Sequence, residues 1–377
     1  MPMSRLTRRG FLAQAGAAAG ACAPMASPSG QGGSADTGGR AAWEDEWDQL
    51  VAAAKQEGRL VIQTLAGSGY RKALQAFEQA FPGIEIEHTG IATSSWAPKF
   101  LQERQAGLYN WDVTDAPPIT GFSLFPEAVY DPIRPLLYRP DVLDDRSWVG
   151  GFEVGFLDTE KKWVFQAGWD LGGGLWVNPD MVAEGEIKSS LDLLAPKWRG
   201  KIVSFDPRTG GLSSLPVSVM RLKHGEDAVK KLYVDQEAVI VRDNRQLTEF
   251  VVRGRYPIGI GTTTTVVDDF RKEGLGGKIK NLLLEDFSYL SGSCLWFVNR
   301  APHPNAAKLY INWLLTKEGQ QAFTKEVLTN SRRTDVAPAD PAIYPPEGAE
   351  KRYTNLYTQE RWVEVEKTRE IMRGHLK

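Results

Sequence analysis

Residues 52–90 read AAAKQEGRLVIQTLAGSGYRKALQAFEQAFPGIEIEHTG, and their spacing decides the fold class. Trp47, Leu50, Val51 and Ala54 fall at helical spacing, and Gly58 stops that helix. Leu60 to Leu65 is then a near-continuous apolar run of strand length, the pattern of a strand buried on both faces of a sheet. Ala66-Gly67-Ser68-Gly69 turns the chain, and Leu74, Phe77 and Phe81 mark a second helix that ends at Pro82-Gly83. Ile84 and Ile86 alternate with Glu85 and Glu87, so another strand begins. Thr89 to Ser95 is a polar loop, and Trp96, Phe100, Leu101 and Leu108 line a third helix. Alternating strands and helices predict an α/β unit with a parallel sheet.

The pattern resumes after a less regular middle. Strands are expected over 174–178, 201–205, 257–261 and 293–298, with an apolar-rich segment over 237–241 and a helix over 247–252. Residues 305–325 read as an amphipathic helix pair, with Ala307, Tyr310, Ile311, Leu314 and Leu315 on one face. No internal repeat is present.

With 377 residues, 42% of them hydrophobic, the chain buries a large core as two domains or lobes. Lys and Arg number 45 against 47 Asp and Glu; without the first 22 residues the balance is about −5. A nucleic-acid groove needs a basic stripe, so no nucleic-acid partner is expected. Thr7-Arg8-Arg9-Gly10-Phe11-Leu12, followed by an Ala/Gly-rich stretch, resembles a twin-arginine export signal. Ala19-Gly20-Ala21-Cys22 resembles a lipoprotein cleavage box, departing from it at the first position, where Leu is usual. Lipid attachment at Cys22 and plain cleavage both remain open, and that lipid would be the only membrane attachment. Residues 23–42 read as a flexible tether. Once Cys22 is set aside, Cys294 is alone and no intrachain disulfide forms.

Three blocks carry a family resemblance. The opening stretch above, LDLLAPKWRGKIVSFDPRTGG at 191–211 and APHPNAAKLYINWLLTKEGQQAF at 301–323 are similar, in order and spacing, to family 1 extracellular solute-binding proteins. These are the capture subunits of ABC importers. The resemblance implies a two-lobed periplasmic-binding-protein fold of type II character, with a ligand cleft between α/β lobes. It places lobe 1 at 43–168 plus 287–335, lobe 2 at 169–286, and a C-terminal extension with a helix at 336–377. It implies a monomer that captures a small solute by hinge closure, docks on permease subunits, and needs neither cofactor nor catalysis.

The ligand-contacting residues are sought where strands end and helices begin. Four loops qualify: Gly67-Ser68; Thr93-Ser94-Ser95; Arg208-Thr209-Gly210; and Thr262-Thr263-Thr264. Each offers hydroxyls or free backbone N–H groups at a helix start, which favours an anion; each would equally serve as a cap alone. Arg208 is either a bidentate partner for a carboxylate, phosphonate or phosphate, or a solvated turn residue. Trp169 either stacks on the ligand or packs at the crossing. Thr265, three residues before Asp268, has capping-box spacing, which leaves Thr262–Thr264 for the ligand.

Iron-binding branches of the family carry a tyrosine pair where this chain has Thr262-Thr263-Thr264-Thr265, which argues against ferric iron. His224 and His303 read as surface residues. Polyamine binding would draw on Asp115, Asp170, Asp206, Glu285 and Asp286. A small organic anion is the preferred solute, with sugars and other neutral solutes behind it. An exported enzyme is the rival class, but the chain has no His-Glu-x-x-His, Gly-x-Ser-x-Gly or Cys-x-x-Cys. Asp268-Asp269 are helix neighbours that point apart. A passive adhesion module would not need helix-start loops converging on one cleft.

Overall fold

A computed structural model describes residues 41–91, 93–209 and 213–376. The export motif, Cys22 and Gly210 lie outside the described residues. The run Leu60–Thr64 forms an interior strand of the first sheet, and its apolar side chains divide between two cores as a doubly covered strand requires. Leu60 and Ile62 face helices Ser68–Ala80 (α2) and Pro304–Leu314 (α7), whereas Val61 faces Trp96 and Phe100 on Thr93–Gln105 (α3).

This sheet contains β1 (Arg59–Thr64), β2 (Glu85–Gly90), β3 (Val113–Asp115), β4 (Tyr130–Asp131), β5 (Val164–Gln166) and β13 (Cys294–Val298). Its order is β2-β1-β3-β13-β4, with β5 also on β13. β1, β2 and β3 are parallel; β13 returns antiparallel between β3 and β4. A second sheet, in order β11-β7-β10-β8-β9, holds β7 (Leu175–Val177), β8 (Ile202–Phe205), β9 (Val239–Val241), β10 (Ile258–Ile260) and β11 (Lys280–Asn281). Its covering helices are Ser214–His224 (α4), Asn244–Val252 (α5) and Thr264–Lys272 (α6). The chain is thus an α/β protein with two lobes.

A third, small sheet lies where the chain passes between them. β6 (Asp170–Gly172) pairs antiparallel with β12 (Tyr289–Ser291), and β14 (Thr354–Asn355) joins β12 in parallel. Just before β6, Gly168 meets Gly292 backbone to backbone: a Cβ on Gly168 would lie 2.4 Å from the Ser293 nitrogen, and one on Gly292 2.2 Å from the Gly168 oxygen. Residues 336–376 run along this junction. Leu171 N donates to Ile343 O at 2.7 Å and Gln359 N to Leu157 O at 2.9 Å. The helix Trp362–His375 (α9) then packs on α4, where Arg221 bonds Glu364 and reaches Thr368 Oγ1 at 2.8 Å.

Several boundaries differ from the sequence reading. α3 ends at Gln105, and Leu108 lies beyond it and is exposed, so it is no part of the apolar face. The helix pair runs over Pro304–Leu314 and Lys317–Val327 (α8), and β14 follows the strand taken as the last.

Candidate functional site

A cavity of about 200 Å3 opens where β10, the crossing strand β6 and the start of α6 converge. The turn at Gly261 creates it. Gly261 has φ +99°, and a Cβ there would lie 2.8 Å from the Phe205 side chain, so only glycine lets β10 bend this close to β8. Its N–H donates to Gly174 O at 2.7 Å, and its carbonyl accepts from Asn244 Nδ2 at 2.7 Å. Thr262 is buried; its carbonyl accepts from Trp176 Nε1 at 3.1 Å. Thr263 is the N-cap of α6, its hydroxyl accepting from Val266 N at 3.4 Å. The cap is therefore Thr263, and Thr265 lies exposed in the first turn: the bend at Gly261 brings the helix in two residues earlier than the Thr265–Asp268 spacing suggested. Thr264, half-buried, also lines the cavity, and the first N–H groups of α6 have no intrahelical acceptor.

The opposite wall is the crossing. Asp170, Gly172, Gly173, Gly174, Tyr289 and Ser291 line it, together with Asn281 and Ile343. Gly172 admits the Tyr289 ring, whose Cζ would sit 2.5 Å from a Cβ. Asp170 Oδ1 accepts from Asn330 N and Nδ2, both at 2.9 Å, and Oδ2 accepts from Thr329 Oγ1. Burial pushes this carboxyl up to about 6 against the lowering effect of those bonds. Asn281 Oδ1 is buried with no hydrogen-bond partner.

The remaining expected contacts are scattered. Thr262, Thr263 and Thr264 line the cavity together, whereas Gly67 and Ser68 are exposed at the start of α2 and do not reach it. Thr93 begins α3, and Ser95 is exposed there and outside the cavity. Trp169 is buried among Leu171, Leu290, Ala349 and Tyr353, with the Arg332 guanidinium 4.8 Å from its ring centre. It is the packed crossing aromatic and offers no face to a solute. Arg208 gives Nε and Nη2 to Asp206, both at 2.8 Å, and Nη1 to Leu376 O at 3.0 Å. It is partly exposed, held by these internal bonds, and does not line the cavity. Thr209 bonds the Asp206 carbonyl at 2.7 Å.

Burial would raise the Asp206 carboxyl, but Arg208 and Arg242 override it and bring it down to about 2. Asp286 takes Ser189, Ser190 and His224, and Glu285 takes Arg352; neither lines the cavity. His224 and His303 are partly exposed and each is paired, the former with Asp286 and the latter through Nδ1 to Asp112 Oδ2 at 2.9 Å. Among the described residues no three His, Cys, Asp or Glu side chains converge as metal ligands would.

Sequence reasoning missed the whole crossing wall apart from Asp170. The run Gly172-Gly173-Gly174 was the available signal, since consecutive glycines mark close approach of backbone to other groups.

Comparison with known proteins agrees with this architecture. The profile of a family described as bacterial extracellular solute-binding protein matches residues 62–321. Iron-bound HitA from Pseudomonas aeruginosa is 16% identical and superposes with a TM-score of 0.66, over 85% of this chain and 99% of its own. PotD, a spermidine/putrescine ABC transporter substrate-binding protein from Streptococcus pneumoniae, is 15% identical with a TM-score of 0.61, over 85% and 99%. AfuA from Actinobacillus pleuropneumoniae, with fructose-6-phosphate bound, is 18% identical with a TM-score of 0.58, over 84% and 97%. At such identities the likeness concerns the fold. No curated protein matches the chain at the sequence level.

Proposed function

Because the chain belongs to the family of bacterial extracellular solute-binding proteins, we propose that it captures a small organic anion, such as a carboxylate, phosphonate or phosphate ester, and delivers it to an ABC importer. The observation that carries this reading is the meeting of Gly261–Thr264 with the crossing strand in one cavity. The unbonded N–H groups at the start of α6 and the Thr264 hydroxyl supply donors, and the helix dipole adds partial positive charge. Arg242, 74% exposed just past β9, shares Asp206 with Arg208, and neither arginine lines the cavity.

Capture follows from the two-lobed fold. A solute held at the crossing contacts groups on both sides, and lobe closure about β6 and β12 shuts out water. The closed form is what a permease subunit reads, and no bond is made or broken. The lobe boundaries near residues 168 and 287, the monomeric state, the twin-arginine route and a lipid on Cys22 complete the proposal. Palmitate labelling that persists in Cys22→Ala would exclude lipidation at that residue.

The cavity yields a prediction that separates cap from contact. Thr264→Val should weaken binding of the solute about tenfold, the loss of one hydrogen bond to a charged group, with the melting temperature unchanged. Thr263→Val should instead cost about 1 kcal/mol of stability through the lost cap. Calorimetric titration and thermal melting of both variants check this. Unchanged affinity in Thr264→Val sinks the assignment of this cavity.

A further inference from the structure

Resting on that reading of the cavity, we infer that the solute is a zwitterion: opposite the anionic group that faces the start of α6, it carries an ammonium that sits at Asp170. The cavity is polarised. Its helix end offers backbone N–H donors, the Thr264 hydroxyl and partial positive charge, while its crossing end holds the Asp170 carboxyl and Asn281 Oδ1. No Lys, Arg or His is among the lining residues, and Asp170 is their one charged group.

The bonds to Asp170 come from neutral groups, the Thr329 hydroxyl and the amides of Asn330. A carboxylate has about four acceptor positions; three are filled, and the charge is not cancelled by any of them. Asn281 Oδ1 adds a second acceptor in the same cavity, buried and without a donor. Asp170 has no ion-pair partner among the described residues.

A buried carboxylate without a counter-cation leaves this end of the cavity short of positive charge. A simple anion would meet repulsion there. A diamine would place its second ammonium at the helix start, where the dipole disfavours it. An anion and an ammonium on one small molecule satisfy both ends, and the volume of about 200 Å3 suits a small solute.

The test uses the wild-type protein and matched probes in calorimetric titration near neutral pH. β-Alanine, 4-aminobutyrate and 3-aminopropylphosphonate are compared with propionate, butyrate and propylphosphonate, alongside putrescine. The expected result is that at least one amino acid binds about tenfold or more tighter than its des-amino partner, and that the advantage shrinks in Asp170→Asn and in Asn281→Leu. Asp170→Asn removes an anchor for Thr329 and Asn330, so Asn281→Leu and the wild-type comparison decide if it fails to fold. Des-amino anions that bind as tightly as their partners overturn the zwitterion while leaving an anion site standing. Binding of putrescine alone overturns both, and a panel in which no amino member binds overturns the zwitterion.

Discussion

Replacing Gly168 by alanine is expected to lower the melting temperature by about 10 °C or more, or to abolish folded protein, while Gly277→Ala leaves it unchanged. The reason lies in what each new methyl would touch. At Gly168 the Cβ would sit 2.4 Å from Ser293 N and 3.0 Å from Gly292 Cα, both backbone atoms of the link between β12 and β13. Backbone has no rotamer to yield, so the two segments must part. Parting them breaks Ala167 N→Ser293 O at 3.0 Å and Gly168 N→Ser293 O at 3.2 Å, and disturbs the bridge from Gly168 to Ser331. Overpacking alone costs about 1–3 kcal/mol, and two weakened buried backbone bonds add about 1–3 kcal/mol each. Gly292→Ala should be as damaging, because its φ of +146° adds backbone strain to a contact of 2.2 Å with Gly168 O. Gly277 has nothing within 4 Å of its Cβ position, which makes it the control. A Gly168→Ala protein melting within a degree or two of wild type would refute the close crossing.

The second large effect concerns pH. Burial pushes the Asp115 carboxyl up to about 8, against a small opposing effect of the Ser293 hydroxyl. A raised folded-state pKa means that the folded protein holds this proton after the unfolded chain has lost it. Stability from this group is therefore complete below the ordinary value of about 3.8, falls as pH rises, and is fully lost above about pH 8. At about 1.4 kcal/mol per pH unit the swing is on the order of 5 kcal/mol.

Asp115→Asn keeps a neutral group of the same shape and removes that swing, at a cost of about 1–3 kcal/mol for an amide donor left unbonded. The solute-free variant should thus be more stable than wild type near pH 8 and less stable near pH 4, its melting temperature varying less between them. Asp170 and Asp112, raised by burial, contribute a residual slope of the same sign. Asp206 acts oppositely: its stability is present above about 3.8 and is lost as pH falls toward about 2. Parallel melting-temperature profiles for the two proteins would show that Asp115 carries no such proton.

Much of the fold was legible because burial writes a local pattern. Leu60-Val61-Ile62 alternates between two cores, and a strand covered on both faces must be apolar without interruption. The pair α7 and α8 announced itself by its apolar face in the same way. The site was legible only in part. Thr262–Thr264 were found at a strand end before a helix, yet the cap was assigned to Thr265, because consecutive threonines offer identical chemistry and spacing cannot choose among them. Arg208 looked like an anion ligand, since Leu376, whose carbonyl it bonds, is 168 residues away in the chain.

By itself, the amino-acid order determined which segments become strands and helices, their alternation, and the edge on which a solute would be sought. Those properties depend on side-chain burial with a period of two or 3.6, which is local and additive. Tertiary structure alone decided which polar groups remain available there: it consumed Arg208, Asp206, Asp286 and Trp169 in internal contacts and left Asp170, Asn281 and the start of α6 facing one cavity. A polar group's availability is a three-dimensional remainder, fixed only after partners far apart in sequence have been brought together.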